Sequence, residues 1–254
     1  MTALAGLTAA RGCGEMGAGV RELVLVVFCR APLVGRAKTR LIPAVGARGA
    51  AALADAFIRD TLAKAALVPG VRVVIAGAEA DTGPAGRYFQ RLSRLSGAEL
   101  LAQSRGGLGR RMFEALRRYA GKGALLMGSD VPSVPLALLA RSVELLRRVP
   151  FVLAPSLDGG YYLVGARGGV PEVFAGIHWG TRRVLAQTMA RLTARRVRFA
   201  LGPAWYDVDR PSDLALLAAH LSLAGASKVA RAARVHCPAT ARVLGRLGLL
   251  GERR

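Results

Sequence analysis

Between Leu23 and Phe28 the chain runs Leu-Val-Leu-Val-Val-Phe with no polar interruption. A run this short and continuous reads as a strand buried on both faces, because a strand with one wet face alternates apolar and polar residues. It empties into Cys29-Arg30-Ala31-Pro32-Leu33-Val34-Gly35-Arg36-Ala37-Lys38-Thr39-Arg40-Leu41, a loop holding a proline, a glycine and four cations. Similar short apolar runs recur, each followed by breakers and then helical spacing. Strands are expected at Val71 to Ala76, Glu99 to Gln103, Ala124 to Met127, Phe151 to Ala154, Tyr161 to Val164 and Val197 to Leu201. Helices are expected at Ala47 to Leu67, Tyr88 to Leu95, Gly106 to Tyr119, Pro135 to Arg148, Thr181 to about Leu192 and Ser212 to Leu223. Alternation of this kind implies an α/β fold with a largely parallel sheet and helices on both faces. Ligands of such sheets bind beyond the carboxyl ends of the strands, so chemistry belongs in the strand-to-helix loops.

The 254 residues suffice for one large domain. Residues 21–222 carry the alternating pattern, 1–20 form an Ala- and Gly-rich extension expected to be flexible, and 223–254 read as a basic extension outside the domain, dispensable for the chemistry. Met16 is an alternative start. The net charge of +21 favours acidic partners, whether phosphorylated small molecules, nucleic acid or anionic lipid, with weak contact to anionic surfaces from the tail. An Arg- and Ala-rich coding bias produces the same balance, so charge alone does not choose. No RRM, KH, helix-turn-helix or zinc module is recognisable, which argues against specific nucleic-acid binding. Cys13, Cys29 and Cys237 are odd in number and contain no C-x-x-C pair, which speaks against a disulfide framework or thiolate metal site and fits a reducing cytoplasm. There is no proper signal-peptide pattern. No apolar run reaches about 18 residues without a charge or breaker, so no membrane span is expected.

The first loop outlines an anion site. Gly35 permits close backbone approach, Lys38 is a mobile point charge, and Arg30 and Arg40 are planar forks suited to phosphate oxygens. A Walker loop is excluded, since Ala37 precedes Lys38 and Pro32 stands where its first glycine belongs. The alternative is an exposed basic turn. Asp130, in Gly128-Ser129-Asp130-Val131-Pro132, follows a buried strand and could hold hydrated Mg²⁺ against phosphates, or simply cap the next helix. Asp207 and Asp209 point the same way if Asp207-Val208-Asp209 is extended, which suits a shared cation; Asp209 or Ser212 capping a helix competes. Asp158-Gly159-Gly160-Tyr161-Tyr162 offers a carboxylate, an open backbone and stacking rings, or a plain turn. Gly107-Leu108-Gly109 opens a helix with free N–H groups. Trp179-Gly180-Thr181 could line an acceptor pocket, though Trp is more often core. His178, His220 and His236 share no ligand spacing, and no G-x-S-x-G elbow occurs.

Taken in order, these blocks resemble the DUF2064 group of bacterial nucleotide-diphospho-sugar transferase-like proteins, often labelled arsenosugar-biosynthesis-type glycosyltransferases. The resemblance spans roughly Leu23 to Leu221. It rests on Phe28 to Leu41, Leu108-Gly109-x-Arg111-Met112, Gly128-Ser129-Asp130-x-Pro132, Asp158 to Leu163, Trp179-Gly180-Thr181 and Asp207-Val208-Asp209-x-Pro211-x-Asp213. Gly107 and Val131 depart from the pattern, where an acidic residue and a Cys are usual. The resemblance implies a Rossmann-like GT-A fold and a metal-dependent glycosyltransferase acting on a nucleotide sugar and a small-molecule acceptor. Phe28, Arg30, Pro32, Gly35, Lys38, Arg40, Gly107, Leu108, Gly109 and Ser129 would hold the nucleotide. Mg²⁺ or Mn²⁺ would sit on Asp130, with Asp209 and Asp207 as further metal-side acids. Sugar and acceptor would meet Asp158, Gly159, Gly160, Tyr161, Trp179, Gly180 and Thr181. Lys38 and Arg40 would stabilise the leaving diphosphate, and Asp158 is the candidate base. A nucleotidyltransferase, joining an NTP to a phosphorylated acceptor, would use a similar loop and is the alternative.

Overall fold

A computed structural model of the chain describes residues 22–226 and 237–250, without the side chains of 224–226; the expected 1–20 extension lies outside the described residues. Seven strands, β1 (Leu23–Arg30), β2 (Val71–Ala78), β3 (Glu99–Ala102), β4 (Ala124–Gly128), β5 (Phe151–Pro155), β6 (Tyr161–Ala166) and β7 (Phe199–Leu201), form one sheet in the order β3-β2-β1-β4-β6-β5-β7. All pairings are parallel except those of β6, which runs antiparallel to both β4 and β5. The α/β class and the largely parallel sheet are as the alternation implies. The antiparallel strand follows from the short Asp158-Gly159-Gly160 connection, which leaves no room for a crossover helix between β5 and β6.

The helices are α1 (Ile42–Ala65), α2 (Gly83–Ser96), α3 (Leu108–Tyr119), α4 (Leu136–Arg148), α5 (Val184–Ala194), α6 (Pro211–Ala226) and α7 (Pro238–Arg246). Along β1, Leu23, Leu25, Val27 and Cys29 enter one core with Ile58 of α1, Phe89 of α2 and Leu146 of α4. Val24 and Val26 enter the opposite core with Met112 and Leu116 of α3 and Leu192 of α5. This two-sided burial is why the run shows no polar alternation. Helix α1 begins ahead of the expected Ala47, across a kink at Gly46 (φ 69°). It is long and apolar enough by composition to cross a membrane, yet Phe57, Ile58 and Leu62 are buried against other elements of this domain, so it is read as a core helix.

The expectation that 223–254 lies outside the domain is corrected for the part described. Ala239, Val243 and Leu244 of α7 are buried with Leu53, Ala56 and Phe57 of α1 and Leu214 and Leu217 of α6 in a third apolar cluster. Buried Asp60 on α1 receives the Ala239 and Thr240 N–H groups at 3.0 and 2.7 Å, satisfying the first turn of α7 from a neighbouring helix. Buried Lys64 donates to the Pro132 carbonyl at 2.6 Å beside Cys237. Burial pushes the Asp60 carboxyl up, opposed by its bonds from Thr240 and Ala239 and then by Lys64, and pushes the Lys64 ammonium down, opposed by Cys237 and then Asp60. Within the described residues of this segment, Ala239, Val243 and Leu244 form the buried face of α7.

Candidate active site

Chain order sends β2 and β3 to one side of β1 and β4 to the other, so the sheet has its switch point at β1/β4. The loops leaving β1 and β4 open there onto a cleft of about 690 Å³. Its lining includes Phe28, Arg30, Lys38, Arg40, Leu108, Ser129, Asp130, Asp158, Gly160, Tyr161, Trp179, Gly180, Thr181, Asp207 and Asp209. Residues expected to act together but scattered over more than 170 positions are thus brought to one place. A second cavity of about 750 Å³ lies between α1, α2 and α7, toward the amino ends of β2 and β3, and holds none of the expected residues.

Lys38 is the joint of the site. Its backbone is left-handed (φ 45°, ψ 46°), a conformation that costs a non-glycine residue on the order of 1 kcal/mol and persists where contacts fix it. Those contacts are Asp130 Oδ1 at 2.6 Å, Asp209 Oδ1 at 2.8 Å and the Val208 carbonyl at 2.7 Å. The Phe57 ring lies 5.6 Å from the ammonium. The Lys38 side chain is only 10% exposed, against 48% for Asp130 and 37% for Asp209. Burial pushes the Lys38 ammonium down, but Asp130 and then Asp209 outweigh it, and its affinity for the proton is raised. Asp209 is held below the ordinary carboxyl range: burial pushes it up, and Lys38 followed by Arg40 outweighs burial. Arg40 reaches Asp209 Oδ2 at 3.5 Å. A backbone bond from Val208 N–H to the Asp130 carbonyl, 2.9 Å, fixes the two acidic segments side by side.

The capping alternatives resolve from the same geometry. Helix α4 starts at Leu136 with no side-chain cap, so Asp130 is not its cap. At α6, Asp213 accepts the Asp209 and Arg210 N–H groups at 3.0 and 2.8 Å, which leaves the Asp209 carboxylate free for Lys38. Asp207 instead accepts the Ser156 hydroxyl at 2.7 Å. Its carboxyl is pushed up by burial, lowered by Ser156, and raised again by Asp158 and Asp209, so these acids are neighbours. For Asp158 the turn reading holds too: its Oδ1 takes the Gly160 N–H at 2.8 Å.

Pro32, Gly35, Gly107, Gly109 and Gly159 shape the walls rather than line them. Gly35 (φ 77°) closes a turn in which the Arg36 and Ala37 N–H groups both go to Leu33 O at 3.0 Å, so those donors are spent inside the loop instead of being offered to a ligand. Gly107 precedes α3, whose first turn has no side-chain cap. Gly159 (φ 89°) lets the β5–β6 turn pass against Arg182, where a Cβ would lie 2.4 Å from the carbonyl oxygen. At Gly109 a Cβ would lie 2.6 Å from the Phe174 carbonyl oxygen and 3.1 Å from the Trp179 ring. Neither backbone nor indole can easily retreat. Gly109→Ala is expected to cost roughly 1–3 kcal/mol, read as a lower urea midpoint with an unchanged slope. Trp179 also meets Tyr161 edge-on, centroids 6.4 Å apart, so it is both core and wall.

Sequence reasoning left out Gln103 and Ser156 as site residues, and both line the cleft, as does Tyr162, the second ring of the Asp158 block. Gln103 donates to the Ala76 carbonyl at 2.8 Å at the end of β2, and Tyr162 donates to the Pro203 carbonyl at 3.0 Å. Position just after a buried strand was the available signal for Gln103 and Ser156.

Residues 61–181 match the family described as "Uncharacterized protein conserved in bacteria (DUF2064)". No protein of curated function matches the chain. Among solved structures, a candidate nucleotide-diphospho-sugar transferase from Desulfovibrio desulfuricans G20 is similar at 29% identity and TM-score 0.75, over 89% of this chain and 96% of that one. A 4-diphosphocytidyl-2C-methyl-D-erythritol synthase is similar at 10% identity and TM-score 0.52, over 78% and 96% of the two chains. A CMP:2-keto-3-deoxy-manno-octonic acid synthetase complexed with CTP is similar at 12% and 0.51, over 80% and 99%. At 10–12% identity the likeness is one of fold. The DUF2064 match over residues 61–181 takes in the Leu108, Gly128, Asp158 and Trp179 blocks, and the chain has the fold of the nucleotide-diphospho-sugar transferases.

Proposed function

We propose that this cleft transfers a sugar from a nucleotide-diphosphate donor to a small-molecule acceptor, in a cytoplasmic setting that suits buried, unpaired Cys29 and Cys237. The observation that carries the reading is the meeting of the Arg30–Arg40 loop with Asp130 and Asp209 at the sheet's switch point, with Lys38 between the two acids. Such a meeting suits a diphosphate and its counter-cation. Among the described residues no three His, Cys, Asp or Glu side chains converge as a metal cage. Mg²⁺ commonly needs only one or two carboxylates and supplements them with substrate phosphates. The hard oxygens of half-exposed Asp130, with Asp209, fit that role for Mg²⁺ or Mn²⁺; Asp207, committed to Ser156, fits it less well. When bound, the ion would neutralise charge on the departing phosphates.

Lys38 and Arg40 would stabilise the same charge, and the uncapped start of α3 beside Leu108 would receive the nucleotide. The acceptor hydroxyl oxygen forms the new bond to the anomeric carbon while the bond from that carbon to the diphosphate oxygen breaks. The electron pair leaves with the diphosphate, and the acceptor's proton passes to Asp158, which the Gly160 N–H holds in place.

The test is the leaving group. Protein incubated with panels of nucleotide sugars and of NTPs, with Mg²⁺ or Mn²⁺, should slowly release free sugar and nucleoside diphosphate, since water can replace the acceptor. Chelator and Asp130→Asn should stop it. Pyrophosphate released from an NTP only when a phosphorylated acceptor is added would overturn glycosyl transfer in favour of nucleotidyl transfer.

A further inference from the structure

The cleft's charge is divided by chain segment. Its cations, Arg30, Arg36, Lys38, Arg40 and Arg111, all come from α3 or earlier, and its carboxylates, Asp130, Asp158, Asp207 and Asp209, all come later. Four acids in one cleft are unexpected in a chain with 37 Lys and Arg against 16 Asp and Glu. Arg182, whose backbone packs against Gly159, and Arg210, next to Asp209 in sequence, have exposed side chains outside the lining. Asp130 and Asp209 share the Lys38 ammonium. Asp158 and Asp207 differ from them: among the described residues neither has an ion-pair partner, and they hold only the Gly160 N–H and the Ser156 hydroxyl. A phosphate brought beside them meets two carboxylates that no ion pair offsets, whereas at Asp130 and Asp209 the Lys38 ammonium already offsets the charge. Hydroxyl or ammonium donors meet free carboxylate oxygen, and the Tyr161 and Trp179 rings add an apolar face for a carbon skeleton.

We propose, building on the sugar-transfer reading, that the second substrate is an unphosphorylated, hydroxyl-rich molecule, a polyol or amino-polyol, selected by Asp158 and Asp207, which also reject anionic acceptors. The cations of the Arg30–Arg40 loop are then left to the donor's diphosphate.

The experiment uses the full chain, saturated with a nucleoside diphosphate and Mg²⁺, and matched ligands that differ only by a phosphate: glucosamine and glucosamine 6-phosphate, inositol and inositol 1-phosphate, glycerol and glycerol 3-phosphate. Calorimetry should show the unphosphorylated member of at least one pair binding about tenfold tighter or more. In Asp158→Asn/Asp207→Asn the preference should shrink to about threefold or less, because the repelling charge is gone while amide oxygens still accept hydrogen bonds. Equal or tighter binding of the phosphorylated members, no binding by any member, or a preference unchanged in the double variant overturns the proposal. A protein that hydrolyses no nucleotide sugar would overturn the transfer reading instead, and the binding comparison would still decide this one.

Discussion

A chain ending at Ala226 should lose on the order of 5 kcal/mol of stability, a large share of what a domain has. Without Pro238–Arg246, Val243 and Leu244 no longer cover α1 and α6, and each buried aliphatic side chain contributes about 1.5–3 kcal/mol. The Cys237 and Ala239 contacts go with them. Asp60 also loses its two backbone donors, leaving a carboxylate that burial already disfavours. For a domain of this size the thermal midpoint should fall by roughly 10–20 °C, or the chain should fail to fold. Circular dichroism melts of the truncated and full chains check this. A midpoint unchanged within about 2 °C would return the segment to the solvated tail that its charge suggests.

Lys38→Met should produce the second large effect, at the nucleotide site. It removes the ammonium that joins Asp130, Asp209 and the Val208 carbonyl and leaves the two carboxylates facing one another, with Arg40, 3.5 Å from Asp209, as the remaining ion-pair partner. Charge-assisted bonds are worth roughly 1.5–3 kcal/mol each, and screening at the half-exposed acids keeps the stability loss near the low end. If Lys38 also contacts the donor's diphosphate, affinity for nucleoside diphosphates should fall by about one to two decades. Calorimetry measures the second quantity and urea unfolding the first; an affinity change under about twofold would detach Lys38 from nucleotide binding. The pH dependence has a definite sign. The Asp209 carboxyl lies below its ordinary 3.8, so it adds stability above that value and loses it as pH falls into the depressed range. Without Lys38 that loss should begin at a higher pH. Lys38, raised above 10.5, contributes below that value and loses its part only as pH rises beyond it.

The strand-helix alternation was legible because each doubly buried strand writes a continuous apolar run. The site blocks were legible because anion loops and strand-end acids use few residue types. Lys38, Arg40, Asp130 and Asp209 can be named from the chain alone. Their pairing cannot, since it depends on β1 and β4 being neighbours and on the Val208 N–H reaching the Asp130 carbonyl across 78 positions. The same limit hid the direction of β6, the separate engagement of Asp207 by Ser156, and the use of loop donors inside the Gly35 turn. It also misplaced α7, whose apolar residues are few and whose first turn is satisfied by Asp60, far away in sequence on α1. Sequence by itself determined the local periods and the inventory of charges. Only the tertiary structure decided which charges meet, because a side chain's partner is set by packing between elements, and packing energy is not written in any single segment.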